Sequence, residues 1–262
     1  MRARQPELDF TKSLPVWTKN QEFCQLFNAF SVIIMELEPF MNRVMRKAKD
    51  ALDDGDPLRE DIATFIRQEA NHTLLHRAYN QALYEAGYDQ LKDIESLLAE
   101  EYRRFLEEKP LLELVAYCEG FESLGPILAE LAFEELDDIF AGGDQDVIDL
   151  WKWHLAEEYE HRNVAFDVYH SLGGSWLHRL KSTYTTLRHL GKFRRIIHRH
   201  IILTDQQRMT VVQKKISQES ARRLNKRLRK FFIKRGIRIL SPFYSPKKLG
   251  LPVGAEQYLD AY

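Results

Sequence analysis

The sequence predicts an all-α fold, in which a bundle core with extra helices is followed by a basic helical C-terminal part. The 262 residues include only 12 Gly and 9 Pro, and long stretches rich in Leu, Ala, Glu, Lys and Arg run between them. Apolar positions in these stretches recur near a 3.6-residue period, as in amphipathic helices. We find no run of strands and no internal repeat, so a β-fold and a repeat architecture are excluded.

Gly and Pro residues mark the expected ends of the individual helices. The first ends at the turn 53–57, where Pro57 fits the first turn of the next helix and Asp56 its cap. A kink is expected near Pro126. Residues 241–262 hold three prolines and are expected to form an extended tail. The predicted helices span residues 20–51, 57–86, 91–107, 111–140, 145–172, 176–203 and 205–240.

The charge is divided sharply along the chain, although the net charge is only −1. Residues 2–167 carry 17 Lys+Arg and 35 Asp+Glu, a balance of −18, whereas residues 178–249 carry 21 Lys+Arg and two acids, a balance of +19. Such asymmetry indicates a surface for a membrane, a nucleic acid or an acidic partner. Docking of the basic helices on the acidic part of the chain explains it equally.

Cysteine use and the N-terminus indicate a cytoplasmic protein. Cys24 and Cys118 lie in apolar helical stretches and are expected to be buried free thiols, which suits a reducing compartment. The N-terminal residues lack the apolar segment of a signal peptide. No stretch approaches the roughly 20 apolar residues of a membrane span.

Two predicted helices each carry a Glu-x-x-His pair, Glu69–His72 and Glu158–His161. Residues three apart share a helix face, so the carboxylate and the imidazole of each pair can bind one ion together. Two such helices, with one Glu from each of two others, form the inward-facing site of di-iron carboxylate bundles. The pattern therefore predicts a ferritin-like four-helix bundle that holds two metal ions, with Fe favoured and Mn or Zn as alternatives.

The two single Glu donors are expected on the first and fourth helices. There, carboxylates stand among apolar residues and would be costly to bury unless they were paired or bound a metal. The first helix offers Glu38, with Glu36 as the alternative, and the fourth offers Glu119, with Glu122 as the weaker candidate. The predicted metal ligands are therefore Glu38, Glu69, His72, Glu119, Glu158 and His161.

Two further histidines extend the predicted site. His76 lies one turn after the first pair and His154 one turn before the second. Because chain order makes these two helices antiparallel, both imidazoles should lie on one side of the metal plane, roughly 8 Å along the axis. They are candidate catalytic groups, as a third nitrogen ligand, a proton relay or a substrate contact; a structural role is the alternative. Glu157 and Glu160 are expected to face solvent.

At these residues the sequence resembles a bacterial family of predicted metal-dependent hydrolases. Residues 65–80 and 153–169 carry the resemblance, which spans about residues 10–203. Glu38 aligns best with a Gly-Glu pair of the family, with Leu37 in place of the glycine, which favours Glu38 as a ligand. The family's name implies hydrolysis, while its motif pattern is similar to that of ferritin-like di-iron oxygenases.

Three functional hypotheses follow. The first is a di-iron carboxylate enzyme, an O2-activating oxygenase, hydroxylase or desaturase that acts on a small or lipid-like substrate. The second is a metal-dependent hydrolase of an ester or phosphoester with the same two-metal site, and the sequence has no Ser nucleophile elbow that would supply another hydrolytic apparatus. The third is a non-enzymatic helical binding protein. We rank them in this order.

The chain is expected to have three regions: a metal-binding bundle (1–174), a basic helical extension packed on the bundle, a membrane or a partner (175–240), and the tail (241–262). The expected partners are a small-molecule or lipid-like substrate, an electron donor and a peripheral membrane contact through the basic helices. A homodimer is left open, and nucleic acid ranks last because no recognised motif accompanies the charge. The expected location is the cytoplasm, at the inner membrane face where the basic helices bind lipid.

Overall fold

The computed structural model describes residues 1–262 as helices joined by short connections, without a strand. The predicted all-α class is confirmed. The helices are α1 (Gln21–Ala51), α2 (Leu58–Glu85), α3 (Leu91–Glu108), α4 (Leu111–Glu122), α5 (Gly125–Glu134), α6 (Asp137–Phe140), α7 (Gln145–His161), α8 (Val164–Ser171), α9 (Trp176–Arg208), α10 (Val211–Gly236) and α11 (Ala255–Ala261).

The site lies among α1, α2, α4 and α7, whose apolar faces belong to one continuous core. Helix α1 packs along α2 and also contacts α3, α4 and α9. Helix α7 packs against α2, α5 and α11, and α8 against α2 and α4. The side chains of four helices can therefore meet in the centre of the molecule, away from water.

The predicted helix over residues 111–140 is three helices, α4, α5 and α6, rather than one with a kink. The first break falls at Ser123–Leu124, just before Pro126. Proline lacks an N–H and its ring clashes with the carbonyl four residues before it, so α4 cannot continue through this point. The predicted helix over 145–172 is likewise divided, into α7 and α8.

The boundary between the two basic helices also differs from the prediction. Helix α9 continues to Arg208, and α10 begins after Thr210 rather than at Asp205. Thr210 and Gln213 form a reciprocal capping box, which satisfies main-chain N–H groups at the start of α10. This local motif fixes the helix start that charge and periodicity alone placed too early.

The C-terminal tail is not simply extended. It contains a 3-10 turn, Pro246–Lys248, and the helix α11, which packs on α7. The Tyr258 hydroxyl donates to Asp149 Oδ1 of α7 at 2.8 Å. The ring of Tyr258 also meets Phe133 edge to face. These contacts with distant residues order a segment that has little helical signal of its own.

The basic helices pack on the acidic part of the chain. Helix α9 contacts α1, α3 and α4, and α10 contacts α1 and α5. Ion pairs join the two parts at Arg179–Glu119 (3.1 Å), Lys192–Glu101 (2.6 Å), Arg227–Asp138 (2.8 Å), Arg235–Glu130 (2.5 Å) and Arg238–Glu130 (2.6 Å).

Helix α1 has the length and composition of a membrane span, contrary to the expectation that no stretch would. In this protein 78% of its most apolar window is buried against the other helices, as in the core helix of a globular fold. Cys24 and Cys118 are free and buried, as predicted.

Candidate metal centre

Seven buried side chains from four helices meet at the centre of the bundle. They form two groups of potential metal ligands, and the ligand atoms within each group lie within 4.8 Å of one another. Glu158 belongs to both groups. The first group is Glu38, His72, His154 and Glu158, and the second is Glu69, Glu122, Glu158 and His161.

Glu158 Oε1 is the atom on which the imidazoles converge. It lies 3.4 Å from His154 Nε2, 3.4 Å from His161 Nε2 and 3.8 Å from His72 Nδ1. Glu38 Oε1 lies 3.7 Å from His154 Nε2 on one side. These separations exceed hydrogen-bond length and leave room for an ion between the groups.

Outer hydrogen bonds set the tautomers of His72 and His161. His72 Nε2 lies 3.1 Å from Glu157 Oε2, which can only accept, so Nε2 carries the hydrogen and the Nδ1 lone pair faces the cluster. His161 Nδ1 lies 3.1 Å from Gln68 Oε1, so its Nε2 faces the cluster. Gln68 is oriented by its own NH2 group, which donates to Glu160 Oε2 at 2.7 Å.

A longer chain of hydrogen bonds sets the tautomer of His154. The amide NH2 of Asn80 donates to the main-chain oxygen of Ser31 (3.2 Å), so Asn80 Oδ1 accepts from the Ser31 hydroxyl (2.6 Å). Ser31 Oγ must then accept from His76 Nδ1 (2.8 Å). His76 Nε2 is left to accept from His154 Nδ1 (2.9 Å), so the His154 Nε2 lone pair points at Glu158. His76 and His154 therefore lie side by side, and His154 belongs to the first ligand group.

The residues fit a metal ion because buried carboxylate oxygens and imidazole nitrogens meet there without hydrogen-bond partners. Buried acceptors are normally satisfied, and an unpaired one costs about 1–3 kcal/mol. A cation bound at the centre would satisfy these unpaired carboxylate oxygens and imidazole nitrogens. The cluster atoms without a hydrogen-bond partner are Glu38 Oε1, both oxygens of Glu69, Glu122 and Glu158, His72 Nδ1 and His161 Nε2.

Burial and the mutual repulsion of the carboxylates shift the pKa values of the cluster in directions that indicate the same shortage of positive charge. Burial and the charge of Glu158 raise the pKa of Glu38 well above its usual range, and burial and Glu38 do the same for Glu69. Burial and Glu158 raise the pKa of Glu122 to about 7. Burial would lower the pKa of His161, but Glu122 and Glu158 outweigh it and raise that pKa to about 10. Without a metal, the carboxylates therefore draw protons into the site.

The structure corrects the donor expected on the fourth helix. Glu122 Oε2 lies 3.3 Å from His161 Nε2, inside the second group. Glu119, the preferred candidate, is outside it, because its Oε1 accepts from Arg179 of α9 (3.1 Å) and from Ser123 (2.8 Å). Glu119 is buried for a reason other than metal binding: it neutralises a buried arginine.

On the first helix, the structure brings Glu38 rather than Glu36 to the cluster. Glu38 Oε2 accepts from the Thr73 hydroxyl at 2.8 Å, which leaves Oε1 directed at the imidazoles. Glu36 is partly exposed and lines a surface pocket with Arg43. The two residues lie about 200° apart around the helix, so only one of them can face the bundle centre.

Two glutamates that were expected to face solvent instead surround the cluster. Glu157 is buried and Glu160 partly buried, and both bind Arg4 of the N-terminal segment, at 3.1 and 2.9 Å. Glu157 also holds His72. The angular position of Glu157 on α7 gave no signal of this, because its partner Arg4 lies more than 150 residues away along the chain.

Gly125 lets Glu158 approach the start of α5. A Cβ atom at this position would lie 2.8 Å from Glu158 Oε2 and 3.2 Å from its Cβ, closer than side-chain contacts normally come. The glycine therefore makes room for the carboxylate that both ligand groups share.

One face of the cluster borders a narrow apolar pocket. Its volume is about 30 Å³, and His154 and Glu158 are the only polar residues that line it. That space is enough for one water molecule. The other lining residues, all hydrophobic, are Phe27, Phe30, Ile33, Ile34, Leu37, Phe121, Leu128, Trp151 and Leu155.

The fold and the site define a helical bundle with a buried carboxylate–imidazole cluster of potential metal ligands. The chain belongs to the family of predicted metal-dependent hydrolases, whose family model matches residues 2–250. No curated protein matches the chain, and no solved structure matches it either.

Family membership overturns the first functional hypothesis. We expected an O2-activating oxygenase, hydroxylase or desaturase because the ligand pattern matches di-iron bundles. The family is one of predicted metal-dependent hydrolases, which favours the hydrolase alternative. The same carboxylates and imidazoles suit several metals and reactions, so the ligand pattern alone could not distinguish between them.

Proposed function

We propose that this protein is a hydrolase of an ester or phosphoester bond that uses two metal ions at the buried cluster. One observation carries the proposal: buried atoms of four carboxylates and two imidazoles meet there without hydrogen-bond partners, in a chain that belongs to a family of predicted metal-dependent hydrolases. The reaction adds water across the bond, so that an ester yields a carboxylic acid and an alcohol.

The proposed ligands follow the two groups. Glu38, His72 and His154 would hold one ion, and Glu69, Glu122 and His161 the other. Glu158 would serve both, since each of its oxygens lacks a hydrogen-bond partner. We favour Zn, Mn or Fe for this mixture of carboxylate and imidazole. Ions bound there would polarise the scissile carbonyl or phosphoryl group and lower the pKa of bound water.

The remaining roles belong to the protein. The outer partners Glu157, Gln68 and His76 keep the imidazole lone pairs directed inward, so the ligands are oriented before a metal binds. The apolar walls of the 30 Å³ pocket exclude bulk water and leave room for a single reacting water molecule. His154 and Glu158 are the polar groups on that face, so the bond to be cleaved should approach there.

A hydrolysis assay on defined metal forms tests the proposal. The protein is stripped with a chelator, reloaded with Zn, Mn or Fe, and assayed with p-nitrophenyl acetate and bis(p-nitrophenyl) phosphate. We expect activity in at least one metal form and none in the stripped protein. Glu158→Gln should abolish it, while Glu134→Gln, on the protein surface, should not. Hydrolysis by no metal form, or equal hydrolysis by stripped protein, would overturn the proposal.

A further inference from the structure

A second, larger cavity lies next to the pocket at the cluster. Its volume is about 410 Å³, within the usual 300–1,000 Å³ of small-molecule sites. It lies between α1, the α4–α5 junction, α9 and α10, and 10 of its 14 lining residues are hydrophobic. Leu187 and Arg229, both exposed, mark its opening to solvent.

The two spaces lie side by side and share a wall. Four hydrophobic side chains line both of them: Phe30, Ile33, Phe121 and Leu128. Beyond these side chains lie His154 and Glu158. A ligand in the larger cavity is therefore separated from the cluster only by apolar groups, which favour an apolar segment of that ligand.

The outer part of the larger cavity carries positive charge that the protein does not neutralise. Arg194 of α9 and Arg229 of α10 line it, and neither forms an ion pair, whereas Arg227 and Arg235 nearby on α10 pair with acidic residues. Arg194 is partly buried, and burial followed by the neighbouring Arg195 lowers its pKa. A partly buried cation without a partner favours an anionic ligand.

We propose that the substrate is an anionic amphiphile, with its apolar body in the larger cavity, its anionic group on Arg194 and Arg229, and its hydrolysable bond at the inner end, where movement of the shared apolar side chains would bring it to His154 and Glu158. The assignment of the reacting bond rests on the proposed function; the binding of an anionic amphiphile does not. The apolar walls fix the body of the substrate, and the arginines fix which end faces outward.

Binding of dodecanoate to the metal-free protein, measured by calorimetry, tests the charge requirement. We expect one dodecanoate per chain and at least tenfold weaker binding of dodecan-1-ol, which lacks the charge. Arg194→Gln should weaken dodecanoate binding about tenfold. Arg199→Gln, which removes an exposed arginine of the same helix outside the cavity, should leave it unchanged. Equal binding of acid and alcohol, or no effect of Arg194→Gln, would overturn the inference.

Occlusion of the cavity tests the location. Leu128→Trp places a larger side chain between the two spaces and should reduce dodecanoate binding at least tenfold, with circular dichroism to show that the fold is retained. Leu97→Trp, at an exposed position on α3, is the control and should bind normally. Unchanged binding by folded Leu128→Trp protein would place the ligand elsewhere and refute the proposed location.

The outcome is separable from that of the hydrolysis assay. Dodecanoate binding with the expected variant pattern, but no hydrolysis by any metal form, would support the substrate class and refute the proposed function. Hydrolysis of p-nitrophenyl esters without dodecanoate binding would support the proposed function and refute the substrate class. If both hold, monomethyl dodecanedioate, with a carboxylate at one end and an ester at the other, should be cleaved faster than dimethyl dodecanedioate.

Discussion

His76 Nε2 lies 2.9 Å from His154 Nδ1, and through this contact a polar chain on α1 and α2 controls an imidazole of the metal cluster. The chain begins at an amide, Asn80, whose orientation is set by a main-chain oxygen. Each later hydrogen bond follows from the one before it. The Ser31 hydroxyl and each neutral imidazole have one hydrogen to donate, so each can only accept at its other contact. His76 is thus a positioning residue for His154.

Ser31→Ala should weaken metal binding by about tenfold or more. The substitution removes the acceptor of the His76 Nδ1–H, so His76 can exchange tautomers and no longer holds His154 in one. Loss of such an outer partner typically lowers metal affinity 10–100-fold. Competition with a chromophoric chelator measures the affinity. Ser217→Ala is the matched control, since that hydroxyl also bonds a side chain of α1, Glu22, but away from the cluster. Equal affinities of the two variants would refute the positioning role.

Glu157→Gln should also weaken metal binding about tenfold, through His72. The carboxylate stabilises the hydrogen on His72 Nε2 and strengthens Nδ1 as a ligand, and an amide does this less well. Glu134→Gln is the control because Glu134 is exposed, pairs with Arg235 and touches neither His72 nor Gln68. The same chelator competition applies, and an equal loss in both variants would refute the role of Glu157.

Substitution of Glu122 should lower the metal content, whereas substitution of Glu119 should lower the stability. Glu122→Gln removes a carboxylate from the second ligand group and should lower the metal content of folded protein. Glu119→Ala should leave metal content unchanged but lower the free energy of unfolding by about 3–5 kcal/mol, because Arg179 is left buried without its partner. Metal analysis and urea denaturation measure the two effects. Metal loss in folded Glu119→Ala protein would restore Glu119 as a ligand.

Glu119 and Glu122 show what the sequence could not predict. Both glutamates stand at the same apolar stretch, and Glu119 was preferred on its apolar neighbours. Arg179, 60 residues further along the chain, pairs with Glu119 instead. Side chains three or four apart on one helix were predictable, as the two Glu-x-x-His pairs show. Partners supplied by distant segments were not.

The same limit explains the other differences. Arg4 buries Glu157, and contacts with α7 order α11, and neither partner has a local pattern that indicates it. The helical class came from periodicity, the shared side of His76 and His154 from chain order, and the preference for Glu38 from spacing together with the family resemblance. Membrane contact through the basic helices, a homodimer and the cytoplasmic location stay predictions.

Gly125→Ala should lower the metal content without unfolding the protein. The new Cβ would lie 2.8 Å from Glu158 Oε2, so the shared carboxylate must move. Gly236→Ala is the control: it is also helical, and a Cβ there meets nothing within 4 Å. Metal analysis of both proteins, with thermal unfolding to show that they are folded, measures the effect. Full metal content in Gly125→Ala would show that Glu158 tolerates displacement.

The most direct test of the central claim is the metal content per chain of the folded protein after loading and desalting, in wild type and Glu158→Gln. Glu158 is the one side chain common to both ligand groups, so its loss should affect both. We predict two ions per chain in wild type, most of which are lost in Glu158→Gln and retained in the surface variant Glu134→Gln. Wild-type protein that retains no metal, or Glu158→Gln with the wild-type content, would contradict a metal centre at this cluster.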